Sequence, residues 1–352
     1  MSSKISEIWW TACPVPSATN IAMALGWLER EFEKDGIRIS HISSLPYEDR
    51  LSHFTLKHPL LIRDGGGIPS IWTRSEGART KAIGIVCSEA SQAVLVRKDS
   101  PIRSVKDLKG KRVALVRDLL GIIDFRRATV KRGIIMALEA HGLTPDDVRF
   151  VDLPTTLAYA NRPTGPDHTG APDHPGFKRI KKTSQQIELE ALKSGTVDAI
   201  FSYLGRDFVL EQMGATRVIY RLNEHPDWRT LVHNAYPVIC AVNADLAEEH
   251  PDLIKRWMKV LVRAGMWAKK NPTEVRSIIA KATGLPEEGM GTTHPDDFHE
   301  HLVPEISERG IDAIEIEKRF LRDHGFINND FDVRTWVDGR FLDAALEEVE
   351  SS

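Results

Sequence analysis

The sequence is poor in cysteine and has no long apolar segment. Its only cysteines are Cys13, Cys87 and Cys240, and no two of them form a CxxC pair. This excludes a disulfide framework and a zinc knuckle. No stretch reaches about 18 apolar residues, so we expect no membrane span, and no signal peptide is readable before Cys13. Free thiols without an export signal predict a cytoplasmic protein.

The chain also lacks a strong excess of charge. Its formal net charge is −3, with 28% charged and 41% hydrophobic residues. This globular composition gives no electrostatic basis for binding nucleic acid or an anionic membrane surface. We therefore expect a small-molecule partner, a monomer and no cofactor. A length of 352 residues exceeds the roughly 250–300 residues at which single cores stop growing, which predicts two lobes.

Predicted strands and helices alternate along the sequence, which indicates an α/β fold. Residues 5–11 predict a strand that leads to Cys13, and residues 18–32 repeat apolar side chains at helical spacing. Residues 45–67 are predicted to form a long loop, of a kind that is often functional. From residue 98 onward, alternating strands and helices predict a parallel sheet covered on both faces. The part after Asn243 is helical in pattern.

This order predicts two chain crossings and a ligand cleft. Lobe 1 is expected to comprise residues 1–97 and 236–352, and lobe 2 residues 98–235. Within lobe 2, residues 161–176 are dense in proline and glycine and contain two Asp-His pairs. Their spacing matches no standard ligand set, so we predict a surface loop and no metal site.

Residues 53–69 carry the strongest local signal for a ligand site. Three consecutive glycines at residues 65–67 permit positive φ, so successive N–H groups can turn toward one point, and a proline soon after predicts a helix start. Backbone donors at a helix N-terminus bind anions. Arg63 adds a planar fork of donors suited to a carboxylate, phosphate, sulfonate or sulfinate. The alternative is a plain glycine turn with Arg63 solvated or paired with Asp64 or Glu76.

Cys13 lies at the carboxyl end of a predicted strand, where α/β folds bind ligands. His53 could hydrogen-bond to this thiol and tune its proton. Each residue also has a plain explanation: Cys13 can be a small buried hydrophobic residue, and His53 can be an exposed loop histidine. His58 competes with His53 for the role of partner to the thiol. A basic cluster on a predicted helix is interpreted as a solvated face rather than a ligand contact. It comprises Arg126, Arg127, Lys131 and Arg132.

Several motifs of this sequence match a known family in one consistent order. Those of the site are Cys13-Pro14-Val15-Pro16, His53-Phe54-Thr55, Pro59, Arg63, Gly65-Gly66 and Ile68-Pro69. Further along are Asp146-Asp147-Val148, Ser194-Gly195-Thr196-Val197-Asp198-Ala199, Asn234-Ala235-Tyr236, Ala264-Gly265-Met266-Trp267-Ala268 and Leu302-Val303-Pro304. In these motifs the chain resembles the 2'-hydroxybiphenyl-2-sulfinate desulfinase family. The resemblance implies a type II periplasmic-binding-protein fold in a cytosolic enzyme, related to the sulfonate and nitrate binding proteins of ABC importers.

The resemblance also implies a chemistry, the cleavage of the C–S bond of an aromatic sulfinate with release of sulfite. A cysteine, a histidine and an arginine serve that reaction in the family, and the matching residues are Cys13, His53 and Arg63. Arg63 and the glycines Gly65, Gly66 and Gly67 are expected to bind the sulfinate. Cys13 would either attack sulfur or protonate the ring carbon. Asp64 stands where the family has an aromatic residue, which implies a changed substrate preference.

Two other classes of protein use the same fold. A solute-binding protein for a sulfonate, nitrate or similar anion needs the cleft and the arginine but no cysteine. The thiol and the missing export signal argue against it. A ligand sensor or a thiamine-precursor-type enzyme is not favoured, because the sequence has no cysteine-rich motif.

Overall fold

A computed structural model of the chain describes residues 5–156 and 184–351. In these residues ten strands form two five-stranded sheets, each covered by helices, which confirms the predicted two-lobed α/β fold. The strands are β1 (Glu7–Ala12), β2 (Arg38–His41), β3 (Leu61–Gly66), β4 (Thr80–Val86), β5 (Gln92–Arg97), β6 (Arg112–Asp118), β7 (Arg149–Thr155), β8 (Ala199–Tyr203), β9 (Thr216–Arg221) and β10 (Val238–Asn243).

The α-helices flank these sheets and make up most of the chain after β10. They are Ala18–Ala24, Trp27–Glu33, Tyr47–Arg50, Ser52–Thr55, Gly67–Ser75, Phe125–Glu139, Ser184–Lys193, Arg206–Gln212, Ala244–Glu249, Pro251–Lys270, Pro272–Thr283, Met290–Thr293, Glu308–Asp323, Val333–Trp336 and Arg340–Glu350. The longest, Pro251–Lys270, buries Trp257 and Leu261 in the core beside the first sheet. Within the two described ranges, no helix combines the length and apolarity needed to cross a membrane.

Both sheets mix parallel and antiparallel pairs. The first has the order β2-β1-β3-β10-β4, and β10 runs antiparallel to both of its neighbours. The second has the order β7-β6-β8-β5-β9, in which β6 pairs in parallel with β7 and β8. The strands predicted to be parallel, β6, β7 and β8, are so, but β5 is antiparallel to β8 and β9, which makes the second sheet mixed. The chain enters β5 directly from the first lobe, without the crossover helix that a parallel neighbour requires.

The first crossing between lobes lies earlier than predicted. Residues 92–97 are predicted from the sequence to belong to lobe 1, but in the structure they form β5 of the second sheet. The chain therefore crosses between Val86 and Gln92. An apolar run of this length predicts a buried strand without indicating to which sheet it belongs. The return strand β10 lies in the first sheet. Residues 161–176, predicted as a surface loop, lie outside the described residues.

The predicted loop at residues 45–67 is mostly regular structure. It contains two short helices and β3, which ends at Gly66 and leads directly into the helix Gly67–Ser75. Gly66 has φ −50° and ψ 142°, and positive φ occurs at neither Gly65 nor Gly67. The prediction of a left-handed glycine turn is therefore wrong. Pairing with β10, in which Gly65 lies opposite Ile239 and Gly66 opposite Val238, holds these two glycines extended.

The basic cluster is not a solvated helix face. Arg126 and Arg132 are buried, because the helix Phe125–Glu139 is covered by β6 on one side and meets first-lobe side chains on the other. The Nε of Arg132 donates to the carbonyl of Val232 and lies 3.5 Å from a carboxylate oxygen of Glu317. Arg127 pairs with Asp152 at 2.8 Å.

Candidate active site

Strand register places three polar side chains on one face of the first sheet. Thr11 on β1 is the parallel partner of Arg63 on β3, and side chains of paired residues point to the same face. Alternation places Cys13, two residues after Thr11, on that face as well. The N–H of Cys13 donates to the carbonyl of Asp64 at 2.9 Å, which fixes the position of the thiol just beyond the end of β1.

The structure brings the three predicted catalytic residues together. The Sγ of Cys13 lies 3.8 Å from the Nε2 of His53 and 4.0 Å from the Nη2 of Arg63. The other ring nitrogen of His53, Nδ1, is 2.9 Å from the Oγ1 of Thr11. His53 is thus held between a hydroxyl and a thiol, an arrangement that orients the ring and lets it exchange a proton with sulfur.

His58, the competing candidate, is turned elsewhere. Its Nδ1 accepts a hydrogen bond from the N–H of Leu60, and its ring lies edge-on to Trp9 at 5.8 Å between centroids. Burial lowers the pKa of His58. The structure therefore separates the two histidines that local sequence patterns left open, and the one beside Cys13 is His53.

Arg63 is fully buried, with 0% of its surface exposed. Its Nε donates to the carbonyl of His53 at 2.7 Å, and its Nη2 donates to the carbonyl of Gly66 at 3.0 Å. Its Nη1 donates to the Oγ of Ser70 at 2.9 Å. The alternative expectation, in which the guanidinium of Arg63 is solvated or paired with Asp64 or Glu76, is therefore wrong. These bonds fix a positive charge beside the thiol of Cys13.

Asp64 belongs to the opposite face of the sheet. Its partner on β10 is Cys240, and its negative charge contributes, after burial, to the raised pKa of that thiol. Burial also raises the pKa of the Asp64 carboxyl itself. The expectation that Asp64 changes the ligand preference by standing beside the anion is therefore wrong, since strand alternation turns it away from Arg63.

A glycine is required at position 65 because the side chain of Cys13 approaches the backbone closely there, and not because of the backbone angles of Gly65. A Cβ at this position would lie 2.4 Å from the Sγ of Cys13 and 3.0 Å from its Cβ. Carbon and sulfur atoms do not approach this closely without a bond, so a side chain here would displace the thiol. Gly65 therefore makes room for Cys13 on the face that Arg63 occupies.

Asn234, just before β10, fixes the end of β3. Its carbonyl accepts from the N–H of Gly67 at 2.6 Å, and its Oδ1 accepts from the N–H of Ile68 at 3.0 Å. A Cβ at Gly66 would lie 2.4 Å from the same carbonyl. The N–H of Gly67, predicted to bind the anion, is thus engaged within the protein. Gly65 and Gly66 are left as the candidate glycines.

Three residues that contact the predicted ones were not identified from the sequence as site residues: Thr11, Ser70 and Asn234. Thr11 had a usable signal, since it lies two residues before Cys13 on the same strand and so shares its face. Ser70 had none, because its contact depends on the course of β3. Asn234 stands in one of the family motifs, but its contact with β3 depends on a pairing of distant segments.

An aromatic contact between the lobes flanks the site. Phe54, next to His53, stacks on Phe125 of the second lobe with 6.1 Å between ring centroids. An aromatic ligand that reaches Cys13 would find these rings nearby. Among the described residues, no group of three or more His, Cys, Asp and Glu side chains is arranged to hold a metal ion.

The chain is similar to known proteins along nearly its whole length. It is 26% identical to 2'-hydroxybiphenyl-2-sulfinate desulfinase from Rhodococcus erythropolis, over 96% of this chain and 93% of that protein. A family model described as NMT1/THI5 like matches residues 67–161.

Solved structures show the same fold. A Cys-to-Ser mutant of DSZB in complex with biphenyl-2-sulfinic acid superposes with a TM-score of 0.76 at 24% identity, covering 97% of this chain and 99% of that one. The periplasmic sulfonate-binding protein SsuA from Methylobacillus flagellatus KT gives 0.71 at 17% identity, covering 98% and 95%. The chain is therefore similar, over nearly its whole length, to 2'-hydroxybiphenyl-2-sulfinate desulfinase, and it has the fold of the periplasmic-binding proteins.

Proposed function

We propose that this protein is a desulfinase, which cleaves the C–S bond of an aromatic sulfinate and releases sulfite. The observation that carries the proposal is the cluster of Cys13, His53 and Arg63, with the thiol 3.8 Å from the imidazole and 4.0 Å from the guanidinium. A solute-binding cleft needs the cation but not a thiol paired with a histidine. The relationship to a desulfinase over 96% of the chain supports the same activity.

The reaction adds water across the C–S bond. The ring carbon gains a proton, sulfur gains a hydroxyl group, and the products are an arene and hydrogensulfite. The reaction needs no external oxidant or reductant. The sulfinate oxygens would lie against Arg63 and the backbone at Gly65 and Gly66, next to the thiol. The fixed guanidinium would stabilise negative charge on these oxygens as the bond breaks.

Cys13 can serve this reaction in two ways. As a thiolate it would attack sulfur, giving a Cys–SO2 adduct while the ring carbon leaves with the bonding pair and takes a proton. Water would then cleave the S–S bond, returning the thiol and releasing hydrogensulfite. As an acid it would instead protonate the ring carbon while water attacks sulfur. His53 supplies or accepts the proton in both routes, because its Nε2 faces the sulfur atom.

A direct test measures sulfite released from biphenyl-2-sulfinate by the wild-type protein and by Cys13→Ser. We expect release by the wild type and loss of most of it in the variant. Cys87→Ser is the matched control, because Cys87 is also partly exposed but lies outside the cluster, and it should retain activity. Intact-protein mass measured during turnover separates the two routes, since only the first adds SO2 to Cys13.

The rival function is binding of a sulfonate or related anion without chemistry, which the fold of SsuA favours. Calorimetric titration with the same sulfinate and with an alkanesulfonate separates the two functions. Tight binding of both anions with no sulfite from the wild-type protein would replace the desulfinase proposal. Undiminished sulfite release by Cys13→Ser would remove the thiol from the mechanism.

A further inference from the structure

The segment that carries Cys13 leaves the first sheet and turns at once into a helix. Strand β1 ends at Ala12, and the next element is the helix Ala18–Ala24. The residues between them include Pro14 and Pro16, which have no backbone N–H to donate. Because this turn has few N–H groups of its own, most of its carbonyl groups need donors from outside it.

The side chain of Asn20 supplies such donors. Its Nδ2 donates to the carbonyl of Val15 at 2.8 Å and to the carbonyl of Cys13 at 3.2 Å. An amide nitrogen carries two hydrogens, so one side chain serves both carbonyls. The N–H of Val15 also donates to the carbonyl of Cys13 at 2.9 Å, which closes the turn on itself. Val15 is a buried residue, and polar groups of buried residues rarely remain without a partner.

Asn20 is itself held by a firmly packed helix. Its N–H donates to the Oγ of the N-cap residue Ser17 at 3.3 Å. Side chains of a helix lean toward its N-terminus, which directs the Asn20 amide back to the turn. The neighbouring Ile21 and Ala22 are fully buried in the core that contains Trp257. The amide of Asn20 therefore connects this core to the turn at Cys13.

Cys13 is fixed through both of its backbone groups. Its N–H donates to the carbonyl of Asp64 at 2.9 Å, and its carbonyl accepts from Asn20. With both groups held, the Sγ stays 3.8 Å from the Nε2 of His53. We propose that Asn20 is a positioning residue, which acts through the carbonyl of Cys13 to keep the thiol beside the imidazole. The proposal rests on the proposed desulfinase function only where activity is the quantity measured.

A purely structural role for Asn20 predicts a different result. Loss of its hydrogen bonds would then lower the stability of the fold and the fraction of active protein, but not kcat per folded molecule. A positioning role predicts slower chemistry in a folded protein that still binds the sulfinate. Binding should persist because Arg63 is held by three hydrogen bonds that do not involve Asn20.

The test compares Asn20→Asp and Asn20→Ala with the wild-type protein. Asn20→Asp keeps the size of the side chain but turns a carboxylate, which has no hydrogen to donate, toward two carbonyl oxygens. In both variants kcat for sulfite release from biphenyl-2-sulfinate should fall about tenfold or more, while KM changes by less than about twofold. Asn243→Ala is the matched control, because it removes a helix cap at the opposite edge of the same sheet and should lower stability without changing kcat.

A second measurement does not require turnover. The imidazole of His53 can take the proton of a thiol that lies next to it, so displacement of the Sγ should slow its reaction with iodoacetamide. At pH 8, with the modified residue identified by mass spectrometry, Cys13 should react about threefold or more slowly in Asn20→Asp than in the wild type. Asn243→Ala should react at the wild-type rate.

Wild-type kcat and wild-type alkylation in a folded Asn20→Asp protein would refute the positioning role, and the same result in Asn20→Ala would do so if the first variant does not fold. A raised KM at unchanged kcat would assign Asn20 to substrate binding instead. An equal loss of kcat in Asn243→Ala would attribute the effect to a general loosening of the fold. If the wild-type protein releases no sulfite, the proposed function fails separately, and the alkylation rates alone decide the role of Asn20.

Discussion

Replacement of Gly65 by alanine tests whether the position of the thiol controls the reaction. The added Cβ would lie 2.4 Å from the Sγ of Cys13, whereas ordinary contacts begin at 3.4 Å, so about 1 Å of displacement is required. Gly65 lies in β3 and pairs with Ile239 of β10, and the thiol is therefore expected to move rather than the strand. A misplacement of about 1 Å costs roughly 100-fold in rate, and overpacking costs about 1–3 kcal/mol of stability.

The assay is sulfite release per active protein, measured together with the free energy of unfolding in urea. Gly65→Ala should lose about 100-fold in kcat while it still unfolds cooperatively. Gly291→Ala is the matched control, because its Cβ would meet only the flexible end of Arg276 at 3.3 Å, and it should keep full activity. A Gly65→Ala protein that releases sulfite at the wild-type rate would refute the claim that this glycine positions Cys13.

Three further predictions concern Thr11, the cysteines and Glu317. Thr11→Val removes the hydroxyl 2.9 Å from His53 Nδ1. Because one neutral hydrogen bond contributes about 1 kcal/mol, sulfite release should fall about fivefold in Thr11→Val but persist in Thr11→Ser, and equal rates in both would contradict this role. Burial raises the pKa of Cys87 to about 12, so mass-mapped alkylation at pH 8 should modify Cys13 and spare Cys87; the reverse order would be incompatible with the structure. Burial raises the pKa of Glu317 to about 7 from 4.5, so its stabilising contribution is complete below pH 4.5 and is lost as the pH rises through 7. When urea unfolding is compared at pH 4.5 and pH 8, the free energy of unfolding should fall by about 3 kcal/mol less in Glu317→Gln than in the wild type. An equal fall in both proteins would exclude this titration.

The sequence predicted which residues form the candidate site but not their geometry. Cys13 could be placed at the end of a strand because apolar periodicity and a following proline are local signals. His53 and His58 could not be separated, since both lie in the same short segment. What distinguishes them is Thr11 on β1, which lies 2.9 Å from the Nδ1 of His53. That contact joins residues 42 positions apart, beyond the range of local patterns.

The glycines show how the prediction of a site can rest on an incorrect local structure. Three consecutive glycines favour a left-handed turn when only local preferences are considered. Pairing with β10 outweighs that preference and holds Gly65 and Gly66 extended. Their lack of a side chain then serves close packing against Cys13 and Asn234. A glycine run in a sequence therefore indicates that something approaches the backbone, and only the tertiary structure shows what it is.

The same reasoning applies to charge. Arg126 and Arg132 resemble a solvated helix face in the sequence, because nothing local reveals that a second lobe covers that helix. Arg132 is compensated by Glu317, which comes from the last third of the chain. For the Nη1 of Arg126, the described residues provide no partner. Which residue compensates a buried charge is therefore decided by tertiary contacts between distant segments, and a local pattern of charges in the sequence does not report them.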